Sequence, residues 1–245
     1  MYVALRVANS LYKNAFSIYR PLYFWYKKRQ EAFEIEVLRK NVRSGDVVLD
    51  IGANIGFYTE LISKLVGSEG KVHCFEPEAE NVEHLKDTVR HLANVSVHAK
   101  AVGSRNEILK LYISHRFNVD HRTYKPERYD KEVEIEAVAL DTYFPPEFKV
   151  DVIKMDIQGF EMKALQGMQN LLEKNKNIKI ISEFWPYGLK RSGSSSGAYV
   201  TFLESLGFTC FLLDNHSLLK LVPEKIQALD LLGEEKYFDI FASRN

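Results

Sequence analysis

The segment Val47–Thr59 constrains the fold of this chain more than any other part of the sequence. It begins with an apolar run that includes Asp50, passes Gly52 and Gly56, and continues into a helical pattern. A strand that turns through glycines into a helix is typical of open α/β sheets, which bind ligands at the carboxyl ends of their strands. The segment therefore predicts a strand that carries a ligand-binding loop.

A second apolar run, Val72–Phe75, ends in Glu76 and Pro77. Glu76 lies 26 residues after Asp50, a spacing that fits two consecutive strands joined by a helix. A carboxylate at the tip of the second strand can accept both hydroxyls of a ribose. Together the two segments predict a pocket for a nucleoside-bearing cofactor.

Length and composition favour one sizeable α/β domain of a chain that works in the cytoplasm. The 245 residues have a formal net charge of zero, which gives no reason to expect a nucleic-acid partner. Cys74 and Cys210 each lie in an apolar run, as expected for buried thiols in a reducing compartment. No apolar run approaches the roughly 18 residues of a membrane span.

Strands and helices alternate along most of the chain. We predict an N-terminal helical extension over 1–43 and one domain over 44–245, with an inserted hairpin formed by 107–114 and 132–139. The alternation favours an α/β fold with a Rossmann-like, doubly wound, mostly parallel seven-stranded sheet. The predicted strands are 47–51, 71–76, 95–101, 150–156, 178–184, 208–213 and 236–243, and the predicted helices are 55–66, 79–92, 160–174 and 197–206.

The N-terminal segment is basic and aromatic. Residues 1–43 hold nine Lys or Arg side chains and three acids, and Tyr19 and Tyr23–Tyr26 add aromatic rings. Such a segment can rest on an anionic membrane surface near a lipid-linked acceptor. More often such a helix covers a sheet edge or forms a contact between the two copies of a homodimer, and we favour these roles.

The glycine pattern excludes the usual dinucleotide fingerprint, which needs three glycines as G-x-G-x-x-G. The chain instead resembles the FkbM-like family of class I S-adenosylmethionine-dependent methyltransferases over about residues 44–185. Five separated motifs carry the resemblance: Asp50–Thr59, Phe75–Pro77, Ala101–Gly103, Leu140–Tyr143 and Asp151–Glu161. Gln158 departs from the family pattern, which often has an acid at this position.

The resemblance implies a cofactor site for S-adenosylmethionine. Asp50, Gly52, Asn54 and Thr59 would surround the methionine moiety, Glu76 would bind the ribose, and Ala101 would border the adenine. The complete set of predicted cofactor residues is Asp50, Gly52, Ala53, Asn54, Gly56, Phe57, Thr59, Glu76 and Ala101.

Candidate catalytic residues follow from the carboxyl ends of the predicted strands. Asp156 ends the fourth strand and Glu183 ends the fifth, so both should open onto the cleft as possible general bases. Glu161 lies at a helix start, where it could also serve as a cap or pair with Lys154 or Lys163.

The insertion supplies a further candidate for the base and a segment that could bind the methyl acceptor. His121 is an alternative base within the basic segment 115–129, which could bind an anionic or sugar acceptor or form an exposed loop. No acid or amide follows Asp156 to complete an obvious ligand set, so we predict no metal.

The resemblance implies methyl transfer and favours a hydroxyl on a saccharide or a small natural product as the acceptor. Two other classes stay open at this point. One is a nicotinamide-dependent oxidoreductase, and the other is a non-catalytic binding protein on the same fold.

Overall fold

The computed structural model describes residues 2–114, 121–214 and 216–244. Within them, the strands are β1 Val47–Ile51, β2 Lys71–Phe75, β3 Val95–His98, β4 Ala101–Val102, β5 Glu107–Ile113, β6 Lys131–Val138, β7 Val152–Met155, β8 Lys179–Phe184, β9 Thr209–Asp214, β10 Ser217–Lys220 and β11 Phe238–Ser243. The helices are α1 Tyr2–Asn14, α2 Phe16–Gln30, α3 Ala32–Asn41, α4 Phe57–Val66, α5 Ala79–Val89, α6 Leu140–Tyr143, α7 Glu161–Gln166, α8 Gln169–Lys174, α9 Pro186–Arg191, α10 Ser196–Ser205 and α11 Pro223–Asp230.

The main sheet has the order β10-β9-β11-β8-β7-β1-β2-β3. Strands β3, β2, β1, β7 and β8 run parallel, whereas β11 is antiparallel to both β8 and β9. All seven predicted strands are present, and the predicted doubly wound, mostly parallel sheet is confirmed. Strand β10 adds an eighth by folding back against β9, and its exposed Ser-Leu-Leu-Lys sequence carries no buried-strand pattern.

The inserted hairpin forms a separate small sheet beside the carboxyl end of the main one. Strands β5 and β6 pair antiparallel as predicted, and β4 joins β6 in parallel. The single strand predicted over 95–101 is therefore wrong in one respect. The chain leaves the main sheet after His98 and enters the small sheet at Ala101.

The predicted helix over 160–174 is two helices, α7 and α8, interrupted at Gly167. A Cβ at Gly167 would lie 1.9 Å from the carbonyl oxygen of Gly103, so this contact requires glycine. The Gly/Ser segment 192–197 after β8 leads directly into α10. Helix α9 precedes it, and Ser195 Oγ accepts a hydrogen bond from the Ala198 N–H at the start of α10 (3.1 Å).

The N-terminal helices pack on the domain. Ile35 and Leu38 of α3 share one apolar cluster with Val48 of β1 and Ile62 of α4. Helices α1 and α2 lie further along, where Tyr12 and Tyr19 pack against Ile55 beside the carboxyl end of β1. Among the residues that the structure describes, no helix is both long and apolar enough to cross a membrane.

Candidate cofactor and active site

A cleft with an empty volume of about 910 Å³ opens at the carboxyl ends of β1, β2 and β7. Six of the nine predicted cofactor residues line it: Gly52, Ala53, Asn54, Phe57, Glu76 and Ala101. Asp50, Gly56 and Thr59 lie behind this lining.

The loop after β1 folds through three residues with positive φ: Gly52 (84°), Asn54 (49°) and Gly56 (91°). Both glycines are packed closely against other parts of the chain. A Cβ on Gly52 would lie 1.9 Å from the Asp156 carbonyl oxygen, and one on Gly56 would lie 2.9 Å from Leu85 Cδ1. The glycines therefore fit the loop against the protein itself.

Asp50 lies beneath this loop, almost fully buried. Its Oδ2 accepts a hydrogen bond of 2.5 Å from Thr59 Oγ1, which ties the end of β1 to the first turn of α4. Burial raises the pKa of Asp50 to about 6, although the Thr59 hydroxyl and Lys154 act against this rise. The structure thus shows Asp50 and Thr59 supporting the loop, and their direct contact with a ligand stays a prediction.

Glu76 is buried at the tip of β2, with one oxygen turned to the loop after β1 and the other to the start of α5. Its Oε2 accepts from the Asn54 N–H (2.9 Å), and its Oε1 accepts from the Glu78 N–H (3.0 Å). Burial raises the pKa of Glu76 to about 7 against the effect of these hydrogen bonds. A carboxylate oxygen can accept about two hydrogen bonds, so Oε2 keeps capacity for a ligand hydroxyl.

Two predicted catalytic acids, Asp156 and Glu183, are bridged by an amide side chain at the ends of β7 and β8. Gln158 Nε2 donates to Asp156 Oδ1 and to Glu183 Oε1, both at 3.1 Å. Gln158 adopts a positive φ of 56°, an uncommon conformation for a residue with a side chain. Asp156 lines the cleft, whereas Glu183 is buried, and burial raises the pKa of Glu183 well above its ordinary value. No sequence signal identified Gln158 as this bridge.

Glu161 holds the loop between β7 and α7. Its Oε1 accepts from the Ile157 N–H (3.1 Å) and the Gly159 N–H (3.2 Å), so Glu161 caps the loop. The alternative pairing with Lys154 is not formed, because Lys154 binds Glu34 instead. Glu161 is fully buried, does not line the cleft, and has a pKa raised to about 7 by burial.

We expect Glu161→Gln to flatten the pH dependence of stability. The folded protein keeps a proton on Glu161 that the unfolded chain releases above about pH 4.5, so the stability contributed by this group is present at low pH and is lost as pH rises through about 7. Between pH 5 and pH 8, the unmodified protein should therefore lose about 2–3 kcal/mol more of its free energy of unfolding than the variant loses. Urea unfolding at several pH values measures this difference, with exposed Glu204→Gln as the control.

Lys154 is almost fully buried and points away from the cleft. Its Nζ lies 3.0 Å from Glu34 Oε1 on α3 and 4.7 Å from the centre of the Tyr58 ring. The Tyr58 hydroxyl donates to Glu34 in turn. The N-terminal extension therefore supplies the counter-ion for a charge inside the domain.

Helix α2 contributes residues that the sequence analysis did not place in the site. Tyr23 and Lys27 line the cleft on the side where Asp156 also lies. Lys27 forms an ion pair with Glu31, the residue that follows the end of α2. Their position depends on how α2 packs against the domain, and no local pattern in the sequence reports that packing.

The insertion reaches the cleft through His121 and Thr123. The Nδ1 of His121 lies 3.3 Å from the Ser114 N–H. Arg122 pairs with Glu234 (2.7 Å) and stacks 4.7 Å from the centre of the Trp185 ring, so it is not part of an exposed loop. The remaining predictions for His115–Asp120 lie outside the described residues.

The lining fits an S-adenosyl group in its chemistry. Glu76 offers acceptor capacity for a ribose, and the Asp156 carboxylate lines the same cleft. Apolar side chains suited to an adenine also line it: Phe75, Pro77, Ala101, Val102, Leu111 and Phe160.

Known structures show the same fold. An S-adenosylmethionine-dependent methyltransferase from Aquifex aeolicus shares 20% identity with a TM-score of 0.50, over 88% of this chain and 92% of that one. A putative rRNA methylase from Clostridium thermocellum shares 12% identity with a TM-score of 0.53, over 86% and 94%. A putative methyltransferase from Streptococcus mutans, solved with S-adenosylhomocysteine, shares 11% with a TM-score of 0.52, over 86% and 96%.

The family comparison is more specific than these fold similarities. No curated protein matches the chain. The model of the methyltransferase FkbM domain matches residues 50–210, which is more than half of the sequence and contains both the loop after β1 and the Asp156–Glu183 pair. The chain therefore belongs to the FkbM methyltransferase family and uses S-adenosylmethionine as its cofactor.

Proposed function

We propose that this methyltransferase transfers the methyl group to a hydroxyl oxygen on a saccharide or a small natural product. The observation that carries the proposal is the position of Asp156, whose carboxylate lines the cleft while Gln158 holds one of its oxygens. A hydroxyl must lose its proton as it is methylated, and a positioned carboxylate can accept that proton. The alternative of a nicotinamide-dependent oxidoreductase loses its support with the family assignment.

In the proposed reaction, S-adenosylmethionine supplies the methyl group on its sulfonium. Asp156 accepts the hydroxyl proton at Oδ2, while its Oδ1 accepts from the Gln158 amide and keeps the carboxylate in place. Glu183 accepts from the same Gln158 nitrogen and thereby helps to fix the orientation of the amide. Holding the reacting groups in line contributes a large share of the acceleration in such reactions.

Polar residues beside Asp156 suit a hydroxyl-bearing acceptor. Tyr23, Lys27, His121 and Thr123 line the cleft with donors and acceptors from two different parts of the chain. His121 is a second candidate for the base, since its ring also borders the cleft. A uniformly apolar wall would suit a hydrocarbon acceptor instead.

Labelled S-adenosylmethionine incubated with fractionated cell extract tests the proposal. We expect label in a small-molecule or saccharide fraction, resistant to ribonuclease and protease, with the methyl group on oxygen by mass spectrometry. The zero formal charge of the chain agrees with an acceptor other than nucleic acid. Label that ribonuclease releases, or label on nitrogen or carbon, would overturn the proposal. A failure to label any fraction with cofactor bound would favour the non-catalytic alternative.

Glu76→Gln is expected to weaken binding of S-adenosylhomocysteine by about 10–100-fold. Hydrogen bonds to a charged group contribute about 1.5–3 kcal/mol each, and an amide nitrogen facing the Asn54 N–H would also repel it. Isothermal titration calorimetry measures the change in affinity. Glu83→Gln is the matched control, because Glu83 is exposed on the neighbouring helix α5.

The same titration has a pH signature. Because burial raises the pKa of Glu76 to about 7, the carboxylate that accepts ligand hydroxyls forms mainly above that pH. Affinity in the unmodified protein should therefore increase by about tenfold from pH 6 to pH 8. A Glu76→Gln variant with the original affinity and pH dependence would show that Glu76 only supports the loop.

We also propose a cytoplasmic location. The free thiols of Cys74 and Cys210 are both buried, and burial raises the pKa of each. Such thiols are unreactive and suit a reducing compartment.

A further inference from the structure

Helix α2 presents two faces with different surroundings. One face carries Tyr23 and Lys27 into the cleft, and Tyr19 packs beside them against Ile55. The opposite face is apolar but exposed. Its side chains retain more than half of their accessible surface: Ile18 55%, Leu22 56%, Trp25 57% and Tyr26 53%. Spacings of three and four residues place them on one side of the helix. We call these four residues the outer stripe.

The chain is positively charged on both sides of the outer stripe, and the first acid is Glu31, which follows α2 and pairs with Lys27. The first 30 residues of the chain contain six Lys or Arg and no Asp or Glu. Lys28 and Arg29 are exposed on α2 itself, and the guanidinium of Arg29 lies 4.5 Å from the centre of the Trp25 ring. The exposed face therefore combines aromatic rings, aliphatic side chains and cations.

A further exposed ring lies at the carboxyl end of the sheet. Tyr237 precedes β11, is 66% exposed, and has Glu183, Lys27, Glu31 and Tyr26 among its electrostatic neighbours. Since Lys27 lines the cleft, this exposed surface borders the active site.

We propose that the outer stripe of α2 docks this enzyme on an anionic lipid surface, with the helix axis in the plane of the membrane. Helices that lie at a bilayer interface bury Trp and Leu at the headgroup boundary while Lys and Arg bind anionic lipids. Tyr and Trp are enriched at that boundary because each has an apolar ring and a polar group. Helix α2 combines all of these features on one exposed face.

A second copy of the chain fits the same surface less well. In a two-fold dimer the outer stripes would face each other and bring the Lys and Arg side chains of both helices into one interface, and residues 1–30 contain no acid to neutralise them. An anionic membrane supplies the missing negative charge. Docking through α2 would hold the cleft on the other face of the same helix, within about one helix diameter (~10–12 Å) of the lipid.

Vesicle co-sedimentation of the full chain tests the proposal with a defined probe. We expect binding to vesicles of phosphatidylcholine with 30 mol% phosphatidylserine at least tenfold stronger than to pure phosphatidylcholine, and weakened by raising the salt concentration. The emission of Trp25 should shift to shorter wavelength on binding, and Trp25→Phe should abolish that shift. The other tryptophan, Trp185, is already buried (4% exposed) and should not respond.

Two matched variants each introduce a negative charge at an exposed apolar position, one on the outer stripe and one elsewhere on the surface. Leu22→Glu should lower vesicle binding at least tenfold, while Ile108→Glu, at an equally exposed apolar position on β5 (60% exposed), should leave it unchanged. Binding of S-adenosylhomocysteine by both variants reports that they are folded. No anionic vesicle binding by the unmodified chain, or equal loss in both variants, would overturn the proposal. A dimer in solution that Leu22→Glu dissociates, without vesicle binding, would assign the stripe to a second copy instead.

Discussion

Replacing Asp156 by asparagine is expected to lower kcat by about 100-fold or more and to leave the affinity for S-adenosylhomocysteine nearly unchanged. The asparagine keeps the size of the side chain and can still accept from Gln158 through its amide oxygen. The asparagine cannot take up the hydroxyl proton of the methyl acceptor, because an amide nitrogen replaces the second carboxylate oxygen. The measurement is single-turnover transfer of labelled methyl to the acceptor fraction that the unmodified enzyme labels.

Three variants separate chemistry from positioning at this site. Asp230→Asn changes an exposed acid on α11 and should have no effect. Gln158→Ala should lower kcat less than Asp156→Asn, because it frees Asp156 from its hydrogen bond without removing the carboxylate. If Asp156→Asn keeps most of the activity while His121→Gln loses it, the base is His121 and Asp156 only shapes the cleft.

The residues predicted for the cofactor side lie together in the structure because that side is local. The order of β1, its glycine loop and α4 occupies one continuous segment, and the signal at Glu76 depends only on the next strand. Gly52 and Gly56 both adopt positive φ, which glycine does at no steric cost. The packing that requires them could not be predicted, because it involves Asp156 and Leu85, which lie far away in the sequence.

The acceptor side was less predictable, because three distant segments meet there. The Gln158 amide joins the ends of β7 and β8, and its residue type had suggested a weaker role for this position. Tyr23 and Lys27 enter the cleft only because α2 packs over it. Period-two alternation along a strand would place Lys154 on the same side as Asp156. The Glu34 carboxylate instead holds Lys154 in the interior.

This buried pair leads to the largest expected effect on stability. Lys154→Met should lower the free energy of unfolding by about 3–5 kcal/mol, because it leaves the Glu34 carboxylate buried without its counter-ion. Burial alone would lower the pKa of Lys154, but Glu34 together with Asp156 and Asp239 outweighs this effect and raises that pKa above its ordinary value. The ion pair therefore keeps Lys154 charged in the folded protein. Urea unfolding at pH 7 measures the loss.

The double variant Glu34→Gln/Lys154→Met distinguishes an unpaired charge from a general packing defect. Removing both charges should recover most of the loss, since apolar or neutral replacements of a buried pair are often tolerated. Lys40→Met, which breaks an exposed pair with Glu36 on the same helix, should leave the free energy of unfolding nearly unchanged. Additive losses in the double variant would show that the two side chains stabilise the protein independently. Coupled losses would instead show that the N-terminal extension is fixed to the domain through this one interior charge, which would also hold α2, Tyr23 and Lys27 at the cleft.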